Sequence, residues 1–158
     1  MFGSILKGLK FISGYQDECC PICRESFGFS SKYKCNDCRV EVCSDCKTKP
    51  RYLYKEIACR KCNTCSLTAM KTVVLVKSSH VGGHKITRKF GEIHSEFTGR
   101  NYDETTDNLK YQAIKMGANG IVELKNEKST HSETTKSGGS YYFSMWTSTG
   151  IPVQLEKK

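Results

Sequence analysis

The chain opens on a helical pattern. Phe2, Ile5, Leu6, Leu9 and Ile12, with Phe11 at the edge, recur at helical spacing, and Lys7 and Lys10 stand opposite them. This predicts a basic amphipathic segment over residues 1–14. At about a dozen residues such a helix is marginal alone in water, so it must rest on a membrane interface or on protein. Residues 15–66 hold few aliphatics. From Lys71 the texture changes. Thr72–Val76 is a short run of β-branched residues that reads as a buried strand, followed by the Ser78–Gly83 loop. Ile86–Phe97 alternates loosely around Gly91, predicting a second strand with a bulge. Leu109, Ala113 and Met116 then share a helical face. Thr106 or Asp107 can cap that helix, and Gly117 suits the left-handed position after it. Ala118–Gly120 turns into a strand at Ile121–Leu124, and the polar stretch 126–139 reads as a mobile loop. Strands at Tyr141–Thr147 and Ile151–Leu155 complete an α+β layer. Pro152 has no N–H to give a ladder, which predicts an edge strand or a nitrogen on a free side.

Cysteine placement sharpens this picture. All ten cysteines lie between Cys19 and Cys65 in a chain of 158 residues. Two modules are therefore expected, 15–66 and 71–158, behind the 1–14 segment. Met1–Gly14 lacks a continuous apolar core and a small-residue cleavage site, so it does not read as a secretory signal. No stretch approaches the roughly 18 apolar residues of a membrane span. The expectation is a cytoplasmic, reducing compartment, with peripheral membrane association, where grouped cysteines hold metal.

Four C-x2-C pairs occur in order, Cys20/Cys23, Cys35/Cys38, Cys43/Cys46 and Cys59/Cys62, with 11, 4 and 12 residues between them. A two-residue spacer lets one turn set both sulfurs about 2.3 Å from an ion, and a tetrahedral zinc needs two such turns. Eight ligands imply two zinc ions per chain. So small a module with few aliphatics needs the metal for its folding energy, roughly 10–16 kcal/mol per structural site in finger peptides. The second and third pairs are too close in sequence to form one site comfortably, which favours interleaving. Cys20, Cys23, Cys43 and Cys46 would hold zinc 1, and Cys35, Cys38, Cys59 and Cys62 zinc 2. With four thiolates per ion no position stays open, so the ions are structural. Cys19 and Cys65 read as spare thiols. The formal charge of +9 falls by four once eight thiolates and two dications are counted, to about +5. That suits an anionic membrane surface as well as nucleic acid.

The cysteine spacing, Phe27 four residues after Cys23, and the run Cys35-Asn-Asp-Cys-Arg-Val-Glu-Val-Cys43 resemble the FYVE-type finger over residues 15–65. The resemblance implies a treble-clef-like cross-brace finger and contact with phosphoinositide membranes. The family's basic signature, Arg-Lys-His-His-Cys-Arg, reads here Ser31-Lys-Tyr-Lys-Cys-Asn36, and no Trp-x-x-Asp precedes the first pair. Lys32 and Lys34 remain, beside Phe29 where the family's membrane-inserting loop would be. A RING finger is the competing reading. It usually carries a histidine ligand and a shorter gap than the four residues between Cys38 and Cys43.

The C-terminal half resembles the YbjQ family over residues 71–156. Gly83-His-Lys-Ile86, Gly91-Glu-Ile93, Ala113-Ile-Lys-Met-Gly-Ala-Asn-Gly-Ile-Val122 and Trp146-Thr-Ser-Thr-Gly-Ile-Pro-Val153 carry the likeness. It implies a small α+β domain of the kind that assembles into rings, typically pentamers, and a family described as heavy-metal binding without an established mechanism. The connection before the helix, Gly99–Thr105, is shorter than the family's usual one. His80 and His84 flank a Gly-Gly loop and could share an ion, though an ordinary loop accounts for them.

No Gly-x-Ser-x-Gly elbow, phosphate-binding loop or His-Glu-x-x-His occurs, and Asp103/Glu104 are adjacent in a polar stretch. The expected function is a non-enzymatic zinc-binding adaptor. Its finger contacts an anionic membrane surface or a protein partner, and its C-terminal domain forms a homo-oligomer. The alternatives are a RING-like protein-interaction or ubiquitin-ligase finger, and a nucleic-acid-binding protein using Tyr33, Tyr52 and Tyr54 among basic residues.

Overall fold

The computed structural model describes residues 19–27 and 31–158. The amphipathic segment 1–14 and Phe29 lie outside the described residues.

The finger begins with two turns of one design. In each, the first cysteine's N–H bonds a carbonyl five residues on (Cys20 to Glu25 at 2.8 Å, Cys35 to Val40 at 2.9 Å). The residue four on returns a bond to that cysteine's carbonyl (Arg24 to Cys20 at 2.7 Å, Arg39 to Cys35 at 3.0 Å). Closing such a turn puts the residue after the second cysteine in the left-handed region, with φ of 65° at Arg24 and 62° at Arg39. A side chain there costs about 1–2 kcal/mol, so the turn must be held from outside its own backbone. Strand β1 (Tyr33–Lys34) pairs antiparallel with β2 (Glu41–Val42), and β3 (Lys47–Thr48) with β4 (Ala58–Cys59). Helix α1 (Arg60–Met70) follows directly.

The second half is a five-stranded sheet with one helix. Strands β5 (Val74–Leu75), β6 (His84–Lys89) and β7 (Ile93–His94) precede α2 (Tyr102–Lys115), and β8 (Gly120–Thr134) and β9 (Ser140–Lys157) follow it. The order is β5-β8-β9-β6, with β7 also on β9. β5 runs parallel to β8 and the other pairs are antiparallel. Strand β8 divides the core, with a bulge between Val122 and Lys125, where Glu123 has φ of 53°, that returns Leu124 to the side of Ile121. Ile121 and Leu124 join Leu109, Ala113, Val73 and Ala118 under α2, while Val122 joins Val81, Val153 and Leu155 on the opposite face. The two long strands approach closely at Gly150, where a Cβ would lie 2.5 Å from Ile121 Cγ2.

Several local expectations change. Helix α2 starts at Tyr102, capped by Asn101, whose Oδ1 accepts the Glu104 N–H at 3.0 Å. Glu104 in turn accepts the N–H of Arg100, the residue before the cap, at 3.1 Å, a variant of the capping box. The adjacent carboxylates Asp103 and Glu104 are thus the first turn of a helix, where its dipole favours negative charge. Gly117 does take the left-handed position, with φ of 78°. The polar stretch 126–139 is mostly strand: β8 continues to Thr134, and only 135–139 turn. The two strands expected after it are one, β9. Pro152 therefore sits in a central strand. Its carbonyl accepts the Phe90 N–H at 2.9 Å, and its register falls between Lys89↔Val153 and Ile93↔Gly150. The prolyl nitrogen faces the break between β6 and β7, so no ladder bond is lost. Among the described residues no helix is long and apolar enough to cross a membrane.

Helix α2 joins the halves. Tyr111 is buried among the finger's own core residues, its ring centroid 5.0 Å from that of Tyr52. Asn108 donates to the Tyr52 carbonyl at 2.9 Å, and Arg51 meets Asp107 at 2.6 Å.

Candidate metal centres

Each cysteine quartet draws on different backbone devices. Cys20 and Cys23 come from the first turn. Cys43 and Cys46 follow β2 in a tighter turn, closed by Cys46 N–H and Lys47 N–H to the Cys43 carbonyl at 3.2 and 3.1 Å. Cys35 and Cys38 come from the second turn. Cys59 caps α1 and accepts the Cys62 N–H on its sulfur at 3.4 Å, so the last pair lies on the first turn of a helix. A helix N-terminus favours thiolate charge.

The sulfurs of Cys20, Cys23, Cys43 and Cys46 lie within 4.8 Å of one another, and so do those of Cys35, Cys38, Cys59 and Cys62. The two quartets interleave along the chain. A tetrahedral site with metal–sulfur bonds of about 2.3 Å has sulfurs roughly 3.8 Å apart. Across the two turns of each quartet the measured separations are 3.7 Å for Cys23–Cys43 and 3.9 Å for Cys38–Cys59.

Ionisation within each quartet is uneven. Burial opposes charge on Cys20, but N–H groups of Cys43, Cys23 and Ile22 outweigh it and bring the thiol down to about 6. Cys35 falls to about 7 by the same balance, with bonds from Cys38, Cys59 and Asp37. Burial and then the neighbouring sulfurs of Cys23, Cys43 and Cys20 push Cys46 up to about 12. Cys62 is pushed up by burial and then by Cys59, Cys38 and Cys35. Four packed sulfurs cannot all carry charge by themselves. A divalent cation at their centre removes the conflict and completes the tetrahedron, so the donor set fits a metal at both positions.

No family model matches the chain. No curated protein matches it either. Among solved structures, it is similar to a protein of unknown function from Pediococcus pentosaceus ATCC 25745 that belongs to the DUF74 family. The identity is 18% and the TM-score 0.34, over 53% of this chain and 98% of that one.

The remaining candidates are scattered. Lys32 lies 5.1 Å from the Phe27 ring centroid and 3.8 Å from the Glu41 carboxylate. Lys34 is exposed on β1 opposite Glu41. Cys19 and Cys65 are exposed and belong to neither quartet. His80 contacts Ser79 Oγ at 2.9 Å and His84 the Gly82 carbonyl at 3.0 Å, and among the described residues neither belongs to a cluster of three or more metal-binding side chains.

Sequence reasoning missed what seats the second quartet on the sheet. Asp37, between Cys35 and Cys38, accepts the Tyr111 hydroxyl and pairs with Lys115 at 2.7 Å. Burial would raise the Asp37 carboxyl, yet the bonds from Lys115 and Tyr111 hold it below its ordinary value. Tyr111 is pushed up, first by burial and then by Asp37. A tyrosine and a lysine four residues apart in a helix share a face, which is the one signal the sequence offered.

Proposed function

We propose that this protein is a non-enzymatic adaptor whose finger is held by two structural zinc ions per chain. Zinc suits an all-cysteine tetrahedron in a reducing compartment, and four thiolates leave no coordination site for water or substrate. The interleaving of two closed quartets carries this reading, because neither ion could leave without loosening the loop that supplies the other. Native mass spectrometry tests it: two zinc ions per chain are expected, and fewer in freshly purified, reduced protein would overturn it.

In the finer reading, a FYVE-like finger contacts an anionic membrane surface or a protein partner, and a YbjQ-like domain self-associates. Self-association would let several weak contacts act together. Lys34, Lys49, Lys55, Arg60 and Lys61 are all exposed on the finger, which supports a charge-driven contact. Liposome co-sedimentation should weaken for Phe29→Ala and for deletion of residues 2–12; equal binding by all three proteins would exclude the membrane role. Nucleic-acid binding is disfavoured. Of the three tyrosines expected to stack bases, Tyr52 is fully buried and Lys47 covers the Tyr33 ring at 3.5 Å, while Tyr54 stays exposed beside Phe97, so these three form no row of open rings. A RING-like role rests on Val40, exposed beside the second turn, and autoubiquitination with a conjugating partner would be its assay.

A further inference from the structure

The β8–β9 ribbon outruns the sheet that supports it. β5 pairs only with Gly120 and Ile121, and the last backbone bond from that side is Leu124 N–H to the Val76 carbonyl at 3.1 Å. Beyond Leu124, among the described residues, the backbone of β8 is bonded to β9 alone as far as Thr134↔Ser140, and the Asn126 side chain also accepts from Thr106 at 3.5 Å. On β9 the outer side is covered only up to Trp146, which exchanges bonds of 2.8 and 2.9 Å with Gly99. What projects is a two-stranded ribbon roughly 25 Å long at about 3.3 Å per residue. One face carries Tyr141, Phe143 and Met145, with the Tyr141 and His131 rings 5.6 and 5.9 Å from Phe143. A hairpin standing alone in water is marginal, and an open strand edge is a template for another strand.

We infer that the outer edge of β8 pairs antiparallel with the same edge of a second copy of this chain, around a two-fold axis at Ser129. This rests on the self-association read above and makes it a two-fold contact, which closes pairs and differs from the rings that the YbjQ resemblance implies. Backbone alternation sets which groups are available. The Leu124 N–H points away from β9 and the Thr135 N–H points across the hairpin to Gly139. Even-numbered residues from Asn126 to Thr134 therefore direct their backbone groups outward, and odd-numbered ones bond β9. A two-fold axis normal to the sheet pairs residues of like parity, so only a few registers exist.

Charge selects among them. With the axis at Ser129, Lys125 lies opposite the partner's Glu133, and Glu127 opposite the imidazole of the partner's His131, each twice by symmetry. Lys128 and Asn126 then pair through their backbones with Thr130 and Ser132. An axis at Thr130 would set Glu127 against Glu133, and one at Lys128 would set that lysine against itself. An axis at His131 shortens the overlap and matches no charges. Opposite charges directly across strands stabilise a pair and like charges destabilise it. The product is a four-stranded sheet in which the aromatic stripes of both copies lie on one face.

Sedimentation of the full zinc-loaded chain over a concentration series tests the pairing. The parent should associate. Thr130→Pro removes an outward N–H and none of the β8–β9 bonds, and should abolish association. Lys125→Glu and Glu133→Lys should each raise the dissociation constant roughly tenfold, and the double exchange should restore it. Restoration cannot be explained by a damaged ribbon. With Cys19 and Cys65 replaced by serine, Ser129→Cys should oxidise to a covalent dimer. A chain monomeric at every concentration would overturn both the pairing and self-association itself. An assembly indifferent to all these changes would overturn the pairing alone.

Discussion

The two halves of this molecule exclude water with different materials. Of the residues buried in the finger, Cys20, Cys35, Cys43, Cys46 and Cys59 are as prominent as Phe27, Val42, Tyr52, Leu53 and Ala58, and its strands are two residues long. In the second half, the buried set includes Leu109 on α2 and Ile121, Val122, Val153 and Leu155 on strands of up to 18 residues. Aliphatic burial yields roughly 1.5–3 kcal/mol per side chain as soon as chain meets chain. A sulfur quartet yields little until a cation arrives, because burial and the neighbouring sulfurs oppose ionisation, as at Cys46 and Cys62. The sheet can therefore fold first and the finger must wait.

Metal removal is the harshest test of that contrast. A chelator should remove the roughly 10–16 kcal/mol that each structural zinc contributes in finger peptides. Amide protection over residues 31–62 should vanish. Trp146, the only tryptophan, lies on β9 in the sheet, so its emission should change little. Parallel loss of both signals would show one cooperative unit and break the comparison. The reverse experiment is milder. Leu109→Ala empties a fully buried position under α2 and should cost about 2–5 kcal/mol of sheet stability. Native mass spectrometry should still find two metal ions per chain; loss of metal in step with the sheet would reverse the proposed order of folding.

Legibility in the sequence followed the same division. The cysteine pairs were readable because metal chemistry fixes both residue type and spacing, and the interleaving followed from one short gap. The sheet was readable only where apolar residues cluster, as in Ile121–Leu124. From Asn126 to Thr134 the strand is polar on both faces, because neither face meets the core, and composition alone resembles a loop. The first half of α2 misled for the opposite reason. Thr105, Thr106, Asp107 and Asn108 are buried polar residues. Two of their partners, Ser148 at 2.7 Å from Thr105 and the Tyr52 carbonyl at 2.9 Å from Asn108, lie more than 40 residues away. No local pattern encodes a hydrogen bond of that range.

Between the halves, α2 offers a way to ask whether they communicate. Tyr111→Phe deletes the hydroxyl that Asp37 accepts and leaves the ring against Tyr52 in place. Asp37 keeps Lys115 at 2.7 Å on the same oxygen, so the loss of this one hydrogen bond should cost about 0.5–1.5 kcal/mol. Since Asp37 belongs to a metal-held turn, the cost should appear in the loaded protein and disappear after chelation. An equal cost in both states would mean that the contact survives without metal.

The weakest contact at the same seam sharpens the point. Arg51 reaches Asp107 through Nε at 2.9 Å and Nη2 at 2.6 Å, but the arginine side chain is 62% exposed. Asp107 also keeps Lys110 at 3.1 Å when Arg51 is gone. Solvent screening therefore limits Arg51→Ala to about 0.2–1 kcal/mol, despite its two-pronged geometry. At 1 M salt, where the screening length shrinks to roughly 3 Å, the difference from the parent should be lost, whereas the cost of Tyr111→Phe should persist. Thermal melts at low and high salt separate the two. If Arg51→Ala kept its full effect in high salt, the seam would be held by the arginine's packing more than by its charge.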